Sequence, residues 1–391
     1  LFFNNYACFS KSRYIFKSPI KIPGIDNKLH KYKLYESNFE PFMRFCHIKD
    51  IKMGGWAKIT GGKYKIISDY ANTRLTVAID RTVIERVDSN SIGNFLQMSY
   101  DIEVYSRDYS FPDPKIPDNV VYQIANVFKR QNEKTRVKCL LSLKKVAPIE
   151  STSDLETVIV EEFENERALL KRWIKLVNKI DPDIIYTYNG DSFDFMYIFE
   201  RAKLCGLTYE LETCLSRLRE NPASIKHEVF SSSAYGDSDF DRVYIPGRLN
   251  YDLLIHFKRG MKKYSSYKLD FIANAILKEG KHPVTARDIF KYYEDGDPEK
   301  MRVIGEYCIQ DSDLLQRIVD NQLVLVNTLQ LANVTFVPTS YLITKGQTIK
   351  VMSQILRKAR EMGYLVPVTN FNEENVSITV KFDEYISCKP G

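Results

Sequence analysis

The spacing of apolar and polar residues along the chain changes at about residue 95. Before that point, short apolar runs at residues 56–59, 64–67 and 75–79 alternate with polar stretches and paired glycines. Short apolar runs separated by glycine are typical of β-strands that are joined by loops. The pattern therefore predicts a β-rich N-terminal domain over residues 1–95.

After residue 95, segments with strand periodicity alternate with segments in which apolar residues recur at helical spacing. The predicted strands cover residues 95–105, 120–128, 136–143, 184–188 and 248–254. The predicted helices cover residues 162–180, 195–204, 269–277, 298–331 and 346–362, with mixed helix and loop over 213–241. This order predicts an α/β fold with a mixed sheet flanked by helices over residues 96–340, followed by a further region over 341–391.

Positive charge is concentrated near the N-terminal end of the chain. The whole chain carries 56 lysines and arginines against 50 acidic residues, a net charge of +6. Residues 1–98 hold 16 basic against 8 acidic residues, and the remaining residues hold 40 against 42. A basic domain joined to a near-neutral body indicates a polyanionic partner, and ordinary surface solubility explains the same charge equally well.

The composition excludes several classes of protein. With 44% hydrophobic and 13% aromatic residues, the chain is able to bury a sizeable core, which argues against a mainly disordered protein. Its seven scattered cysteines and five unclustered histidines argue against a disulfide framework or a zinc site, and favour a reducing intracellular compartment. No apolar run approaches the roughly 20 residues of a membrane span, so we expect a soluble protein with no membrane partner.

Two carboxylates lie two residues apart in the first strand after residue 95. Asp101 and Glu103 are expected to project from one face of this strand, while Tyr100, Ile102 and Val104 face the core. Adjacent carboxylates repel each other unless a cation separates them, and a hard divalent ion such as Mg²⁺ prefers oxygen ligands. On its own, an acidic pair of this kind is more often part of a solvated face.

Two further acidic segments follow. From Tyr188 the sequence reads Tyr-Asn-Gly-Asp-Ser-Phe-Asp, in which Asn-Gly predicts a turn and Asp194 begins a helix. Within this segment, Asp191 is expected to be a simple helix cap. Tyr307 and Asp311 are four residues apart in the predicted helix 298–331, so they share a face, and a solvated surface pair is the alternative interpretation.

Together, the three segments resemble the three exonuclease motifs of the DEDDy 3′–5′ exonucleases: Asp-x-Glu at Asp101, Asn-x-x-x-Phe-Asp from Asn189, and Tyr-x-x-x-Asp from Tyr307. More narrowly, the chain is similar to the N-terminal and proofreading part of delta-type family B DNA polymerases. Further similarity extends over nearly the whole chain, in residues 35–56, 247–253 and 346–357. The loop lengths resemble those of large DNA viruses such as African swine fever virus, so a viral source is expected.

The resemblance implies a ribonuclease H-like domain that hydrolyses the 3′-terminal phosphodiester of mispaired primer DNA by two-metal catalysis. It implies two bound Mg²⁺ ions, for which Mn²⁺ could substitute. Tyr307 is implied to orient the attacking water, and Asn189 and Phe193 are implied to touch the frayed primer end. The alternative for Asn189 is a residue that only forms the turn, and the alternative for Phe193 is an aromatic residue of the core. The implied metal ligands are Asp101, Glu103, Asp194 and Asp311.

A basic segment lies between the second and third motifs, and the tyrosines Tyr264 and Tyr267 are interleaved with it. Basic residues mixed with aromatic ones suit a single-stranded nucleic acid, and a solvated loop is equally consistent. The family often has Thr or Ser before the leucine of this segment, whereas Lys268 precedes Leu269 here, so the family role does not carry over at that position. The candidate DNA-binding residues are Lys258, Arg259, Lys262, Lys263, Lys268 and Leu269.

As a whole, the resemblance implies part of a replicative DNA-directed DNA polymerase whose palm is absent from this chain. The implied partners are primer–template DNA, single-stranded 3′ ends, the palm, fingers and thumb, and a sliding clamp or processivity factor. The expected location is intracellular, in the host cytoplasm at a viral replication site or in the nucleus. Two alternatives remain, a non-catalytic DNA-binding module with a nuclease-like fold and a free-standing DEDDy nuclease.

Overall fold

The computed structural model of the protein describes residues 6–67, 71–73, 75–80, 82–232, 236–279 and 285–368. The chain divides into two compact units. Unit 1 consists of Leu1–Thr60, Ile84–Asn90 and Thr328–Gly391, and unit 2 consists of Gly61–Val83 and Ser91–Asn327. The division into residues 1–95, 96–340 and 341–391 stays a prediction.

The described residues form strands and helices throughout both units. The strands are β1 (Ile20–Ile22), β2 (Asp26–His30), β3 (Trp56–Ile59), β4 (Tyr64–Ile66), β5 (Val77–Ile79), β6 (Ile84–Val87), β7 (Leu96–Val104), β8 (Val121–Arg130), β9 (Arg136–Ser142), β10 (Glu156–Glu162), β11 (Ile184–Thr187), β12 (Ser224–Ser232), β13 (Gly236–Tyr244) and β14 (Leu249–Asp252). The helices are α1 (Tyr6–Ile15), α2 (Pro41–Lys49), α3 (Glu166–Ile180), α4 (Asp194–Leu204), α5 (Thr208–Leu215), α6 (Leu253–Arg259), α7 (Leu269–Leu277), α8 (Ala286–Asp295), α9 (Pro298–Asn321), α10 (Val324–Thr335), α11 (Thr339–Thr344) and α12 (Thr348–Glu361).

Unit 2 is built on a six-stranded sheet with the strand order β10-β9-β8-β7-β11-β14. β8 runs antiparallel to its neighbours β7 and β9, whereas the other pairs are parallel. The sheet is therefore mixed, as predicted. Because β7, β11 and β14 are parallel, their carboxyl ends meet at one edge of the sheet, which is where ligands bind in open α/β folds.

The two faces of β7 have different surroundings. Tyr100, Ile102 and Val104 lie in the main apolar core together with Trp173 of α3 and residues of α4 and α5. Side chains on the opposite face point toward α9, because Ser99 Oγ donates a hydrogen bond to the carbonyl of Ser312 at 2.7 Å. The predicted core face of this strand is confirmed, and the other face is covered by a helix.

Small residues bring α9 close to the sheet. Gly305, Cys308 and Ser312 are buried along the side of α9 that faces the strands. A Cβ atom added at Gly305 would lie only 2.5 Å from Cδ2 of Leu140. Ser312 Oγ also donates to the carbonyl of Ala125 at 3.2 Å. The close approach of α9 fixes where its polar residues lie relative to β7.

Unit 1 combines short strands with helices. β1 pairs with β2 and β3 pairs with β6, both antiparallel. Its apolar core contains Phe39 and Met43, which pack together with Val337 and Leu356. The strands were expected in this part of the sequence, whereas α1 and α2 were not.

Several elements of unit 2 differ from the predicted ones, and α6 and α8 were not predicted. Helix α3 begins at Glu166 rather than at 162, because the Asn165 side chain accepts a hydrogen bond from the Ala168 amide at 2.9 Å and caps it. The predicted helix over 298–331 is interrupted at Leu323, whose φ is +50°. β10 was not predicted, and α5 with the β12–β13 hairpin replaces the helix and loop expected over 213–241. Among the described residues, no helix is both long and apolar enough to cross a membrane.

Candidate active site

Asp101 and Glu103 project from β7 toward α9, and both are half-buried. One carboxylate oxygen of each and Sγ of Cys308 all lie within 4.8 Å of one another. The Cys308 thiol is 3.5 Å from the Asp101 carbonyl oxygen and donates to it. The two acidic side chains therefore lie on the same face of β7, as predicted, and α9 packs against that face.

Asp194 is the first residue of α4 and is buried. Its carboxylate accepts hydrogen bonds from its own amide and from the amide of Ile102. The Ile102 amide faces this carboxylate because the pairing of β7 with β11 ends at Ser99. Burial raises the pKa of Asp194 to about 7, and the negative charges of Asp252 and Asp311 contribute to the rise.

The turn between β11 and α4 has a specific backbone geometry. Asn189 has a φ of +66°, and its carbonyl accepts hydrogen bonds from the amides of Ser192 at 3.0 Å and Phe193 at 2.9 Å. At the next position, a Cβ atom on Gly190 would overlap the side chain of Thr187. The Asn-Gly pair is thus required by the tight return of the chain, as the sequence predicted.

Asp252 holds the same turn from the neighbouring strand. It lies at the end of β14 and is buried, and it accepts hydrogen bonds from the amides of Asn189 at 3.0 Å and Leu254 at 2.9 Å. Burial also raises its pKa. Asp252 was not among the predicted site residues; its position at the end of a strand parallel to β11 is the feature that identifies it.

The prediction that Asp191 is a simple helix cap is wrong. Its buried carboxylate accepts hydrogen bonds from Nη1 of Arg242 at 3.1 Å, the Val243 amide at 3.2 Å and Nδ2 of Asn250 at 2.9 Å. Burial raises its pKa to about 6. Asp191 therefore fastens the β12–β13 hairpin and β14 to the turn that precedes α4.

Tyr307 and Asp311 bring α9 into the acidic site. Asp311 is buried, and the Tyr307 hydroxyl is hydrogen-bonded to its carboxylate. Burial raises the pKa of Tyr307 well above its usual range, and the charges of Asp311, Glu103 and Asp101 raise it further. These residues, carried by β7 and α9, are therefore electrostatically coupled, and Asp194 of α4 joins them through Asp311.

Asp313, two residues further along α9, has different surroundings. Its carboxylate forms ion pairs with Arg136 at 3.3 Å and Lys138 at 3.8 Å, and Lys138 also pairs with Glu156 at 2.8 Å. Its negative charge is therefore compensated by cations, whereas Asp311 faces other carboxylates. The alternative of a solvated surface pair of Tyr307 and Asp311 does not hold, because Asp311 is buried and Tyr307 is half-buried.

Phe193 lies at the edge of the site and is half-buried. Its ring centroid is 5.5 Å from that of Phe111 and 5.6 Å from that of Tyr197. Phe111 itself is 79% exposed. Phe193 therefore packs against the core on one side and against an exposed aromatic ring on the other, and Phe111 is a second aromatic residue that the sequence analysis missed.

The basic segment begins in the last turn of α6, continues through the loop that follows, and is connected to the turn before α4. The Tyr188 hydroxyl donates a hydrogen bond to the carbonyl of Tyr267 at 2.6 Å, and Nζ of Lys262 lies 4.9 Å from the ring centroid of Tyr264. Lys268 immediately precedes α7, and Leu269 is its first residue. Among the predicted DNA-binding residues of this segment, the exposed ones are Lys258, Lys262, Lys263 and Lys268. The half-buried ones are Arg259 and Leu269.

The donor set of the site suits a hard divalent cation. The negative charges of Asp252 and Asp311 repel that of Asp194, which adds to the effect of burial in raising the pKa of Asp194. A cation with oxygen ligands relieves that repulsion, as Mg²⁺ does in proteins. Burial keeps the pKa of the Cys308 thiol well above its usual range, so this soft ligand stays protonated beside the hard ones.

The profile of "DNA polymerase family B, exonuclease domain" matches residues 32–272. That range includes Asp101, Glu103 and Asp194, whereas Tyr307 and Asp311 lie beyond it and are brought to the site by α9.

The chain is also similar to DNA polymerase delta catalytic subunits of several eukaryotes. It is 33% identical over 354 residues to that of Glycine max, which covers 89% of this chain and 31% of the relative. It is 32% identical over 364 residues to that of Dictyostelium discoideum, which covers 92% of this chain and 32% of the relative. It is 30% identical over 370 residues to that of Caenorhabditis elegans, which covers 93% of this chain and 33% of the relative. The chain spans about a third of the length of these relatives. They give no support to the viral source expected from the loop lengths. From its match to the exonuclease-domain profile, the chain belongs to the family B DNA polymerases.

Proposed function

We propose that this chain is the N-terminal and proofreading part of a replicative, delta-type DNA polymerase, and that it removes mispaired nucleotides from the 3′ end of a primer. The observation that carries the proposal is the electrostatic coupling of acidic residues from β7, α4 and α9 at one edge of the sheet. In the proposed division, residues 96–340 form the nuclease domain, 1–95 precede it and 341–391 lead toward a polymerase palm.

The proposed metal ligands are the four acidic residues of the site, and two Mg²⁺ ions, or Mn²⁺ in their place, are the proposed cofactors. When bound, such ions stabilise the attacking and leaving oxygens of a phosphodiester during hydrolysis. The protein's contribution is to hold the carboxylates in place. The ligands would be Asp101, Glu103, Asp194 and Asp311.

Tyr307 is proposed to position the attacking water. Because its pKa is raised, the hydroxyl keeps its proton at neutral pH and donates a hydrogen bond to Asp311, which leaves the oxygen to accept a hydrogen bond from the water without acting as a base. Its hydrogen bond to Asp311 limits the directions in which the phenol can point. Tyr307 therefore orients a water molecule without removing a proton from it.

The single-stranded 3′ end is proposed to lie along the surface between Phe193 and the basic segment. Aromatic rings stack on bases without sequence preference, and lysines neutralise phosphates. Phe193 and the exposed Phe111 would supply rings, and Asn189 would contact the terminal nucleotide. The basic contacts would come from Lys258, Arg259, Lys262, Lys263 and Lys268, with Leu269 beside them.

The proposed partners are primer–template DNA, the palm, fingers and thumb of the polymerase, and a sliding clamp or processivity factor. Such a protein acts where DNA is replicated, so an intracellular location is part of the proposal. A non-catalytic DNA-binding module and a free-standing nuclease are the competing functions.

Two neighbouring aspartates of α9 provide a matched test. Asp311→Asn removes a carboxylate that faces the acidic site, whereas Asp313→Asn removes one that is paired with Arg136 and Lys138. We expect Asp311→Asn to lower Mg²⁺-dependent shortening of a 5′-labelled single strand by about 100-fold or more. Asp313→Asn is expected to weaken folding and to leave the rate per folded molecule nearly unchanged. Equal rates for the wild type and Asp311→Asn would favour the non-catalytic module.

A further inference from the structure

The net positive charge of the chain comes from one short segment near its N-terminus. Residues 6–33 contain seven lysines and arginines and a single acidic residue, Asp26, which gives a net charge of +6. The whole chain also has a net charge of +6, so the remaining residues sum to zero. A strong local excess of one charge on a protein surface indicates a binding partner with the opposite charge.

The basic side chains of this segment lie at the surface of unit 1. Of the seven, only Arg13 is half-buried, and no residue of α1 is buried. The six exposed lysines are Lys11, Lys17, Lys21, Lys28, Lys31 and Lys33. Such a density of exposed positive charge has a cost in self-repulsion, which a polyanion would relieve.

A ring contact joins the residue that follows α1 to the far end of the segment. The ring centroid of Phe16, just after α1, lies 6.3 Å from that of Tyr32, just after β2. Lys17 follows Phe16 in the sequence, and Lys31 and Lys33 flank Tyr32. The ring contact therefore brings the backbone at Lys17 close to the backbone at Lys31 and Lys33, which follow it by 14 and 16 residues.

Exposed aromatic rings lie among these charges. Tyr6 and Tyr14 of α1 are 60% and 64% exposed. Nζ of Lys17 lies 4.7 Å from the ring centroid of Tyr14. An aromatic face beside a lysine can stack on a base while the ammonium group meets the adjacent phosphate. A duplex hides its base faces and an acidic peptide has none, so this combination selects a single strand.

We propose that residues 6–33 form a binding surface for single-stranded nucleic acid, with Lys17, Lys31 and Lys33 on phosphates and Tyr14 stacked on a base. This surface belongs to unit 1, and its binding does not depend on the nuclease activity proposed for unit 2.

The test is fluorescence anisotropy of the full chain with a labelled, 3′-blocked oligothymidylate, with EDTA present so that hydrolysis does not occur. The variant Lys17→Gln/Lys31→Gln/Lys33→Gln is expected to bind about 10- to 100-fold more weakly at low salt. Its slope of log affinity against log salt should also fall by about 2, since each phosphate contact on a single strand contributes about 0.7.

The matched control removes the same charge elsewhere, by changing three exposed lysines of unit 2 to glutamine, namely Lys134, Lys175 and Lys203. An equal loss in this control would show that net charge alone is responsible and would overturn the proposal. Far-UV circular dichroism checks that both variants fold.

Tyr14→Ala offers a second test that leaves the charge unchanged. It is expected to weaken binding several-fold at an unchanged salt slope, because base stacking contributes about 1–3 kcal/mol. No effect of either the lysine variant or Tyr14→Ala would refute the surface. Equally tight binding of a labelled polyglutamate, lost in the same variants, would assign the surface to an acidic protein instead.

Discussion

Asp194 should make the metal-free protein less stable than it would be with a neutral residue at this position. Its carboxylate is buried at the start of α4, and its pKa is raised to about 7 from an ordinary value of 3.8. Asp194→Asn keeps an acceptor oxygen for the Ile102 amide and removes the buried charge. We therefore expect the variant to be more stable than the wild type at neutral pH when no metal is present.

The size of this effect follows from the two pKa values. Between about pH 4 and pH 7 the folded protein holds a proton on Asp194 that the unfolded chain has released, so stability falls as pH rises through this window. Each pKa unit corresponds to about 1.4 kcal/mol, which gives a cost of about 4 kcal/mol above pH 7. From about pH 5.5 to pH 8 the advantage of Asp194→Asn should grow by about 2 kcal/mol.

Urea unfolding at several pH values in EDTA measures this difference directly. Adding Mg²⁺ should then stabilise the wild type more than Asp194→Asn, because a cation relieves the charge that the variant lacks. Asp108→Asn is a control of opposite sign, since hydrogen bonds from Ser110 and Ser106 lower the pKa of Asp108 to about 2. If Asp194→Asn were less stable than the wild type at pH 8, or if its advantage did not change with pH, the account of this carboxylate would be refuted.

Two further predictions concern the turn before α4. Gly190→Ala would force a methyl group against Thr187, which should lower the free energy of unfolding by about 1–3 kcal/mol and reduce the nuclease rate. Gly260→Ala is the control, because a Cβ atom there lies 3.4 Å from its nearest neighbours, and it should change stability and rate little. Asp252→Ala would leave the Asn189 amide without its carboxylate acceptor and should cost about 1–3 kcal/mol, with a lower kcat. Asp252→Asn retains an acceptor oxygen and should therefore keep most of the wild-type stability and kcat. Urea unfolding and single-turnover assays measure these two quantities. If Asp252→Asn were as impaired as Asp252→Ala, the charge of Asp252 rather than its hydrogen bond would be responsible.

The sequence predicted the parts of the fold that depend on local periodicity. The alternation in β7 correctly separated Tyr100 and Ile102 from Asp101, because residues two apart on a strand share a face. The Asn-Gly turn and the start of α4 at Asp194 were also predicted, since both follow from local backbone preferences. In each case the deciding interaction lies within a few residues of the chain.

The features that the sequence did not predict depend on partners far along the chain. Asp191 was expected to cap a helix, but Arg242 in a distant hairpin supplies its ion pair. Phe111 lies beside Phe193 only because the loop after β7 returns to the start of α4. The ion pairs of Asp313 with Arg136 and Lys138 also form only because α9 packs against the sheet strand that carries both cations.

The most direct test of the central claim is Mg²⁺-dependent shortening of a 5′-labelled single-stranded oligonucleotide by the wild type and by Asp101→Ala. The account predicts a ladder of products that shorten stepwise from the 3′ end with the wild type, none in EDTA, and a rate at least about 100-fold lower with Asp101→Ala. Equal rates for the two proteins, or shortening that proceeds unchanged without a divalent ion, would contradict it.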